Sequence, residues 1–248
     1  MNRLIFPDIF GPHVTAFFTG KIPGAGLHEI SALLKIREED IFLPIQKHTD
    51  KVLVLDSARE PRIADAVVTR EEGILIGVQV ADCVPVLVCE KEKGVYAAVH
   101  AGWRGTAEGI LKKTIEIMKE KFMCRAQDIL VAIGPSIKGC CYEVDYEVVH
   151  KVGRETGEGE YFQKKGEKYY LDLALANRLQ AVSMGVSGRN IWVSPDCTFS
   201  NPDKYYSYRF SQGSTGRQAA FIGKMPPTLF INIRDMDANA GHPGRKTL

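Results

Sequence analysis

No stretch of this 248-residue chain approaches the roughly 18 consecutive apolar residues that a membrane-spanning helix needs, so no membrane role is expected. A strong charge of either sign is also lacking: 32 Lys and Arg stand against 30 Asp and Glu, a net +2. Nucleic-acid-binding proteins usually gather a basic excess on one face; here Lys and Arg are scattered, and no nucleic-acid partner is expected. The opening Met1-Asn2-Arg3-Leu4-Ile5-Phe6-Pro7-Asp8 has neither the apolar core nor the small-residue cleavage site of a secretory signal. That points to a cytoplasmic protein, in which the 6 cysteines are expected as free thiols rather than a disulfide framework. Cys140 and Cys141 are neighbours in sequence and cannot easily pair with each other. Internal repeats and low-complexity segments are missing as well.

What remains is ordinary globular composition, 45% hydrophobic and 25% charged. Short apolar runs at 14–18, 41–45, 52–55, 66–69, 74–81, 129–133, 191–193, 205–210 and 218–222 read as strands. The run at 74–81 is almost wholly apolar and reads as central. Helical periodicity covers 27–36, 106–122, 143–152 and 171–184, with a Gly-rich acidic loop over 153–160. The mixture predicts an α/β fold of the α+β type: one domain over residues 1–223, with mixed, largely antiparallel sheets flanked by helices. A doubly wound parallel sheet does not fit. Residues 224–248 are expected to form a peripheral or mobile tail.

Residues 82–105 are the most informative. Two apolar runs flank a charged turn at 90–93, a hairpin pattern. Folding about that turn pairs Val84 with Val99 and sets Cys83 opposite His100, with Cβ atoms about 5 Å apart. A thiol and an imidazole so placed can share a metal or act as nucleophile and base. His48, in a polar turn between strands, is the third candidate ligand. One Cys and two His suit zinc with one coordination position left open, the catalytic arrangement. A buried thiol beside a hydrogen-bonded core histidine is the alternative, and the residues alone leave both open.

The segment Ala101-Gly102-Trp103-Arg104-Gly105-Thr106 joins a strand to a helix. Thr106 is the expected N-cap and Glu108 a first-turn acid. A helix N-terminus favours an anion such as phosphate, and Arg104 would add a guanidinium able to grip it by two hydrogen bonds. Asp82, next to Cys83, is a candidate catalytic carboxylate orienting a metal ligand or substrate. The turn-rich stretch 134–144 is expected to lie partly on a pocket rim. Tyr205, Tyr206, Tyr208 and Phe210 read as a packing stripe, and Cys89, Cys124 and Cys197 as inert core thiols.

Taken together, Gln46-Lys47-His48, Ala81-Asp82-Cys83-Val84-Pro85, His100-Ala101-Gly102-Trp103-Arg104-Gly105-Thr106, Ile133-Gly134-Pro135-Ser136-Ile137, Cys141-Tyr142-Glu143-Val144 and Gly216-Arg217-Gln218-Ala219 resemble the signature blocks of the YfiH-like laccase-domain family, in the expected order. That family carries the names polyphenol oxidase and purine nucleoside phosphorylase with adenosine deaminase activity. The resemblance implies a zinc site at His48, Cys83 and His100, and an α/β fold likened to a toxin deamidase that uses a Cys-His pair. One departure stands out: the region 21–41 is short and lacks the Asn-Arg pair expected before Gln46.

A multicopper oxidase would need about ten histidine ligands; this chain has 6 His in all, and none form His-x-His pairs. Copper could still replace zinc at a nitrogen–sulfur site. The leading expectation is a zinc-dependent purine nucleoside phosphorylase acting on adenosine, inosine, guanosine or methylthioadenosine with phosphate, with adenosine deamination as a side activity. Gln46, Arg104 and Thr106 are the expected substrate and phosphate contacts. The alternatives are a metal-free hydrolase or deamidase with Cys83 as nucleophile and His100 as base, a copper-binding polyphenol oxidase, and, last, a non-enzymatic metal-binding module. A monomer or small homo-oligomer is expected.

Overall fold

Val84–Glu90 and Val95–Ala101 are buried at every position, as strands covered on both faces must be. The structure, a computed structural model, describes residues 4–57 and 59–225. Its strands in chain order are β1 (Leu4–Ile5), β2 (Thr15–Thr19), β3 (Ile41–Phe42), β4 (Val52–Leu55), β5 (Ala66–Thr69), β6 (Leu75–Val80), β7 (Val84–Glu90), β8 (Val95–Ala101), β9 (Leu130–Ile133), β10 (Glu143–Val144), β11 (Phe162–Lys165), β12 (Lys168–Leu171), β13 (Ile191–Val193) and β14 (Gln218–Gly223). The helices are α1 (Leu27–Leu34), α2 (Trp103–Ala107), α3 (Ile110–Phe122), α4 (Tyr146–Thr156) and α5 (Leu173–Ser183).

Two large sheets form, in the orders β1-β2-β14-β6-β3 and β13-β9-β7-β8-β5-β4, with a small third sheet β10-β12-β11. Most pairings are antiparallel; β3–β6, β4–β5 and β9–β13 are parallel. The period-2 alternation of the strands sorts their side chains into layers. Leu87, Cys89, Tyr96 and Ala98 meet Phe18, Ile76, Val78 and Ile222 between the two sheets. On the other face Val84, Val86, Val88, Ala97 and Val99 pack on Ile110, Leu111, Ile115 and Met118 of α3 and on Ala174, Ala176 and Ala181 of α5. Ile30 and Leu34 of α1 cover Phe17, Leu75 and Phe221 on the outer face of the five-stranded sheet. The result is the expected mixed α/β fold, layered helix–sheet–sheet–helix.

Several local expectations are corrected. The hairpin pairs Val84 with Ala101, Pro85 with His100 and Val86 with Val99, so the turn is one residue further along than read from charge. Glu90 is a buried strand residue whose carboxylate accepts the Lys93 N–H at 2.5 Å, and Gly94 takes the left-handed conformation that closes the turn (φ 63°). The helix expected over 106–122 is broken at Gly109, also left-handed (φ 70°), into α2 and α3. Thr106 is therefore no N-cap; α2 is capped at Gly102. Residues 205–207 are irregular and 208–210 form a turn, not a strand, and the chain at 143–144 is a strand before α4 begins. The exposed β11–β12 hairpin carries too little apolar signal to be read from sequence. Of the expected tail, Lys224 and Met225 are described: the Lys224 carbonyl accepts the Gly73 N–H at 2.9 Å and Met225 is buried. The rest lies outside the described residues.

Candidate active site

His100 is the penultimate residue of β8, and its parity along the strand turns it toward the gap between the two large sheets, at the gap's mouth. Asp65, the residue before β5, sits beside it. The His100 N–H donates to the Asp65 carbonyl at 2.7 Å, and the ring Nδ1 lies 2.7 Å from Asp65 Oδ1. Both side chains are buried. The same carboxylate accepts the backbone N–H groups of Lys47, His48 and Thr49 at 3.2, 3.0 and 2.6 Å, and the Thr49 hydroxyl at 2.7 Å. Burial pushes the Asp65 carboxyl up, but the hydrogen bonds from His100 and Thr49 outweigh it and hold the group well below the usual carboxylate range. An ionised Asp65 accepts only, so Nδ1 carries the proton and Nε2 is left for a ligand.

The turn gathered on Asp65 also presents His48, in a left-handed conformation (φ 57°). That conformation is uncommon for a residue with a side chain and is held here by three N–H contacts to one carboxylate. The His48 and His100 rings meet edge to face with centroids 4.8 Å apart. Cys83, just before β7, lies across from Gly102, where a Cβ would come within 3.0 Å of the Cys83 sulfur and 3.3 Å of His48 Cδ2. Gly102 thus keeps clear the space in which the three side chains converge. Their donor atoms lie no more than 4.8 Å from one another.

Burial alone would raise the Cys83 thiol, but the charges of His100 and His48 and hydrogen bonds from both bring it down to about 6. Burial would lower His100; the Cys83 and Asp65 charges and hydrogen bonds raise it to about 9. With no metal bound, Cys83 and His100 thus each favour the other's charged form; a metal at the site would take the place of the proton on Nε2. A preformed thiolate, two imidazoles and a carboxylate fixing one imidazole's tautomer are the donor set and outer support that zinc takes.

These groups open onto a cavity of about 610 Å³, within the usual range for small-ligand sites. Three arginines, Arg104, Arg209 and Arg217, line it together with Trp103, Tyr142 and Tyr208. Arg104 lies over the Trp103 ring at 4.6 Å and Arg209 over Tyr142 at 5.2 Å. Asp82, the one acid on the wall among the described residues, is already engaged. Its carboxylate accepts Thr198 Oγ1 at 2.6 Å, Ser207 Oγ at 3.0 Å and the Arg209 N–H at 2.7 Å. It ties the 198–209 segment to the start of β7.

The sequence-selected residues thus divide. His48, Cys83 and His100 converge, and Arg104, Gln46, Ile137 and Tyr142 line the same cavity. The Gln46 amide is occupied by the Gln79 backbone, donating to its carbonyl and accepting its N–H, both at 2.8 Å. Thr106 is fully buried and its hydroxyl accepts from Asn177 at 3.0 Å, which takes it away from the cavity. Asp65, Arg209 and Arg217 lie at the site without being among the sequence-selected residues. A lone acid inside the apolar run Ile63-Ala64-Asp65-Ala66-Val67-Val68 was the available signal for Asp65.

The chain is similar to known proteins over most of its length. The profile of the family described as multi-copper polyphenol oxidoreductase laccase matches residues 25–225. A purine nucleoside phosphorylase of Clostridium acetobutylicum is 42% identical over 191 residues, 75% of this chain and 78% of that protein. An adenosine deaminase named RL5, from an unknown prokaryotic organism, is 35% identical over 196 residues, 72% of this chain and 73% of that one. The crystal structure of YlmD from Geobacillus stearothermophilus superposes with a TM-score of 0.82 at 28% identity, covering 89% of this chain and 94% of that chain.

Proposed function

The chain belongs to the multi-copper polyphenol oxidoreductase laccase family, and we propose that it works as a zinc-dependent purine nucleoside phosphorylase with adenosine deamination as a side activity. The observation that carries this reading is the meeting, in one cavity, of the His48, Cys83 and His100 donors with three arginines. Relatives named purine nucleoside phosphorylase and adenosine deaminase support it.

In phosphorolysis a phosphate oxygen bonds to the ribose C1′ while the bond from C1′ to the purine nitrogen breaks. The electron pair leaves with the base, which takes up a proton. Arg104, exposed at the rim, grips phosphate through paired N–H groups. Arg209 and Arg217 add positive charge facing the same space, so the cavity favours an anion over a neutral competitor. Tyr142 and Tyr208 offer aromatic faces for the purine. His48, Cys83 and His100 would hold zinc, which would supply a Lewis acid there. Asp65 keeps Nε2 of His100 free of a proton for that role. Adenosine, inosine, guanosine and methylthioadenosine all present a purine and a ribose C1′.

One observation favours a second reading. Asp65, His100 and Cys83 stand in the order orienter, base, nucleophile, and the thiol is brought down to about 6, as in a cysteine hydrolase. His48 has no part in that chemistry. A copper-loaded oxidase would use the same three donors. Metal analysis of the purified protein, followed by chelation and re-addition of zinc or copper during a nucleoside assay, tests the assignment. The proposed function requires about one zinc per chain, loss of nucleoside cleavage on chelation and its return with zinc. Full activity in metal-free protein would support the hydrolase instead.

A further inference from the structure

A second cluster of soft donors lies outside the cavity. The turn that follows Lys138 is closed by the Cys141 and Tyr142 N–H groups, which donate to the Lys138 carbonyl at 2.9 and 3.0 Å. It turns the side chains of Cys140 and Cys141 the same way, with their sulfurs 3.3 Å apart. Cys197 joins them from a segment that bridges Ser136 in parallel. All three sulfurs lie no more than 4.8 Å from one another. Three sulfurs each about 2.3 Å from one ion in a plane would lie about 4 Å apart, so the cluster needs little adjustment to close on a cation.

We propose that Cys140, Cys141 and Cys197 form a second metal site, a three-thiolate centre for copper(I). Thiolate-only donor sets select soft ions. Three sulfurs complete a trigonal shell for copper(I), whereas zinc would need a fourth ligand. Cys197 is the buried anchor, held in place by the bridge to Ser136. The Ser200 Oγ lies 3.1 Å from the Cys141 sulfur. Cys140 is exposed and gives the ion a way in from solvent. The Lys138 ammonium, which interacts with Cys140 and Cys197, offsets part of the thiolate charge. The mixed His48–Cys83–His100 set is harder, so the two centres differ in the ion each prefers.

The test is an anaerobic titration with copper(I) against a chromophoric copper(I) chelator, on the full chain and on three variants. Cys83→Ala removes the thiolate of the first centre; it should still take up one copper(I), and X-ray absorption should show three sulfur neighbours around it. Cys140→Ser, altering an exposed side chain, should bind one copper(I) fewer than the unaltered chain while keeping its Tm and its nucleoside cleavage. Cys83→Ala combined with Cys197→Ser should bind none. Losing a ligand should weaken binding by more than the roughly 10–100-fold that loss of an outer-shell partner costs. The copper should also resist an excess of zinc. Four results would overturn the site: no uptake by Cys83→Ala, unchanged stoichiometry in Cys140→Ser, displacement of the copper by zinc, or a thiol count showing a disulfide within the cluster in protein purified without reductant.

Discussion

Asp65 and His100 are joined twice, backbone N–H to carbonyl and ring Nδ1 to carboxylate, both at 2.7 Å. The same carboxylate carries the turn that presents His48. One buried acid therefore sets the tautomer of one ligand and the position of another. Asp65→Asn replaces an accepting oxygen by a donating amide among five donors. Zinc affinity should fall about 10–100-fold, the usual cost of losing such support, with a loss of stability of about 1–3 kcal/mol for an unsatisfied buried group. Chelator competition and denaturant unfolding measure the two. Unchanged zinc affinity would remove Asp65 from the site.

The state of Cys83 gives a pH-dependent prediction. Its thiol is lowered from the ordinary 9.0 to about 6 by His100 and His48, so in chelated protein the thiolate dominates above about pH 6. Iodoacetamide labelling should rise with pH through a midpoint near 6, well before an ordinary thiol would react. Zinc should suppress labelling, and Cys83→Ala should lose the metal. Fast labelling of the zinc-loaded protein would favour the hydrolase reading.

The arginines should separate from the metal. Arg104→Ala removes a charged hydrogen-bonding partner worth about 1.5–3 kcal/mol, so the phosphate KM should rise about tenfold or more while zinc content holds. Hydrolytic deamination should suffer less. Equal losses in both activities would mean that Arg104 serves the nucleoside or the fold.

Asp82 is expected to act through the 198–209 segment rather than on the metal. Asp82→Ala strands Thr198, Ser207 and the Arg209 N–H, each buried donor left unpaired costing about 1–3 kcal/mol. Tm should drop and nucleoside KM should rise while zinc stoichiometry stays at one. Loss of zinc with the fold intact would reassign it as an orienter of Cys83.

The legible part of this site is the part that sits at strand ends. His48, Cys83 and His100 each sit at a break beside an apolar run, and their chemistry is rare in the chain, so they stand out. Charge suggests a turn at 90–93, yet the hairpin register is one residue further along. Glu90 is buried in the strand and satisfied by the Lys93 N–H, which residue type alone does not reveal. Arg209 and Arg217 reach the cavity from a long irregular segment whose path depends on Asp82, 125 residues away from Ser207 in sequence. Periodicity carries no information about such loops, and the tyrosines at 205, 206 and 208 imitated a strand. Thr106 reads as a helix start in sequence because nothing in residue type distinguishes Gly109, where the helix breaks, from an ordinary helical glycine.

The most direct measurement is release of free purine from inosine or adenosine by zinc-loaded protein, with and without inorganic phosphate, together with assay of ribose 1-phosphate. The proposed function predicts base release that depends on phosphate, with one ribose 1-phosphate formed per base. Base release at the same rate without phosphate, or no release from any purine nucleoside, would contradict it.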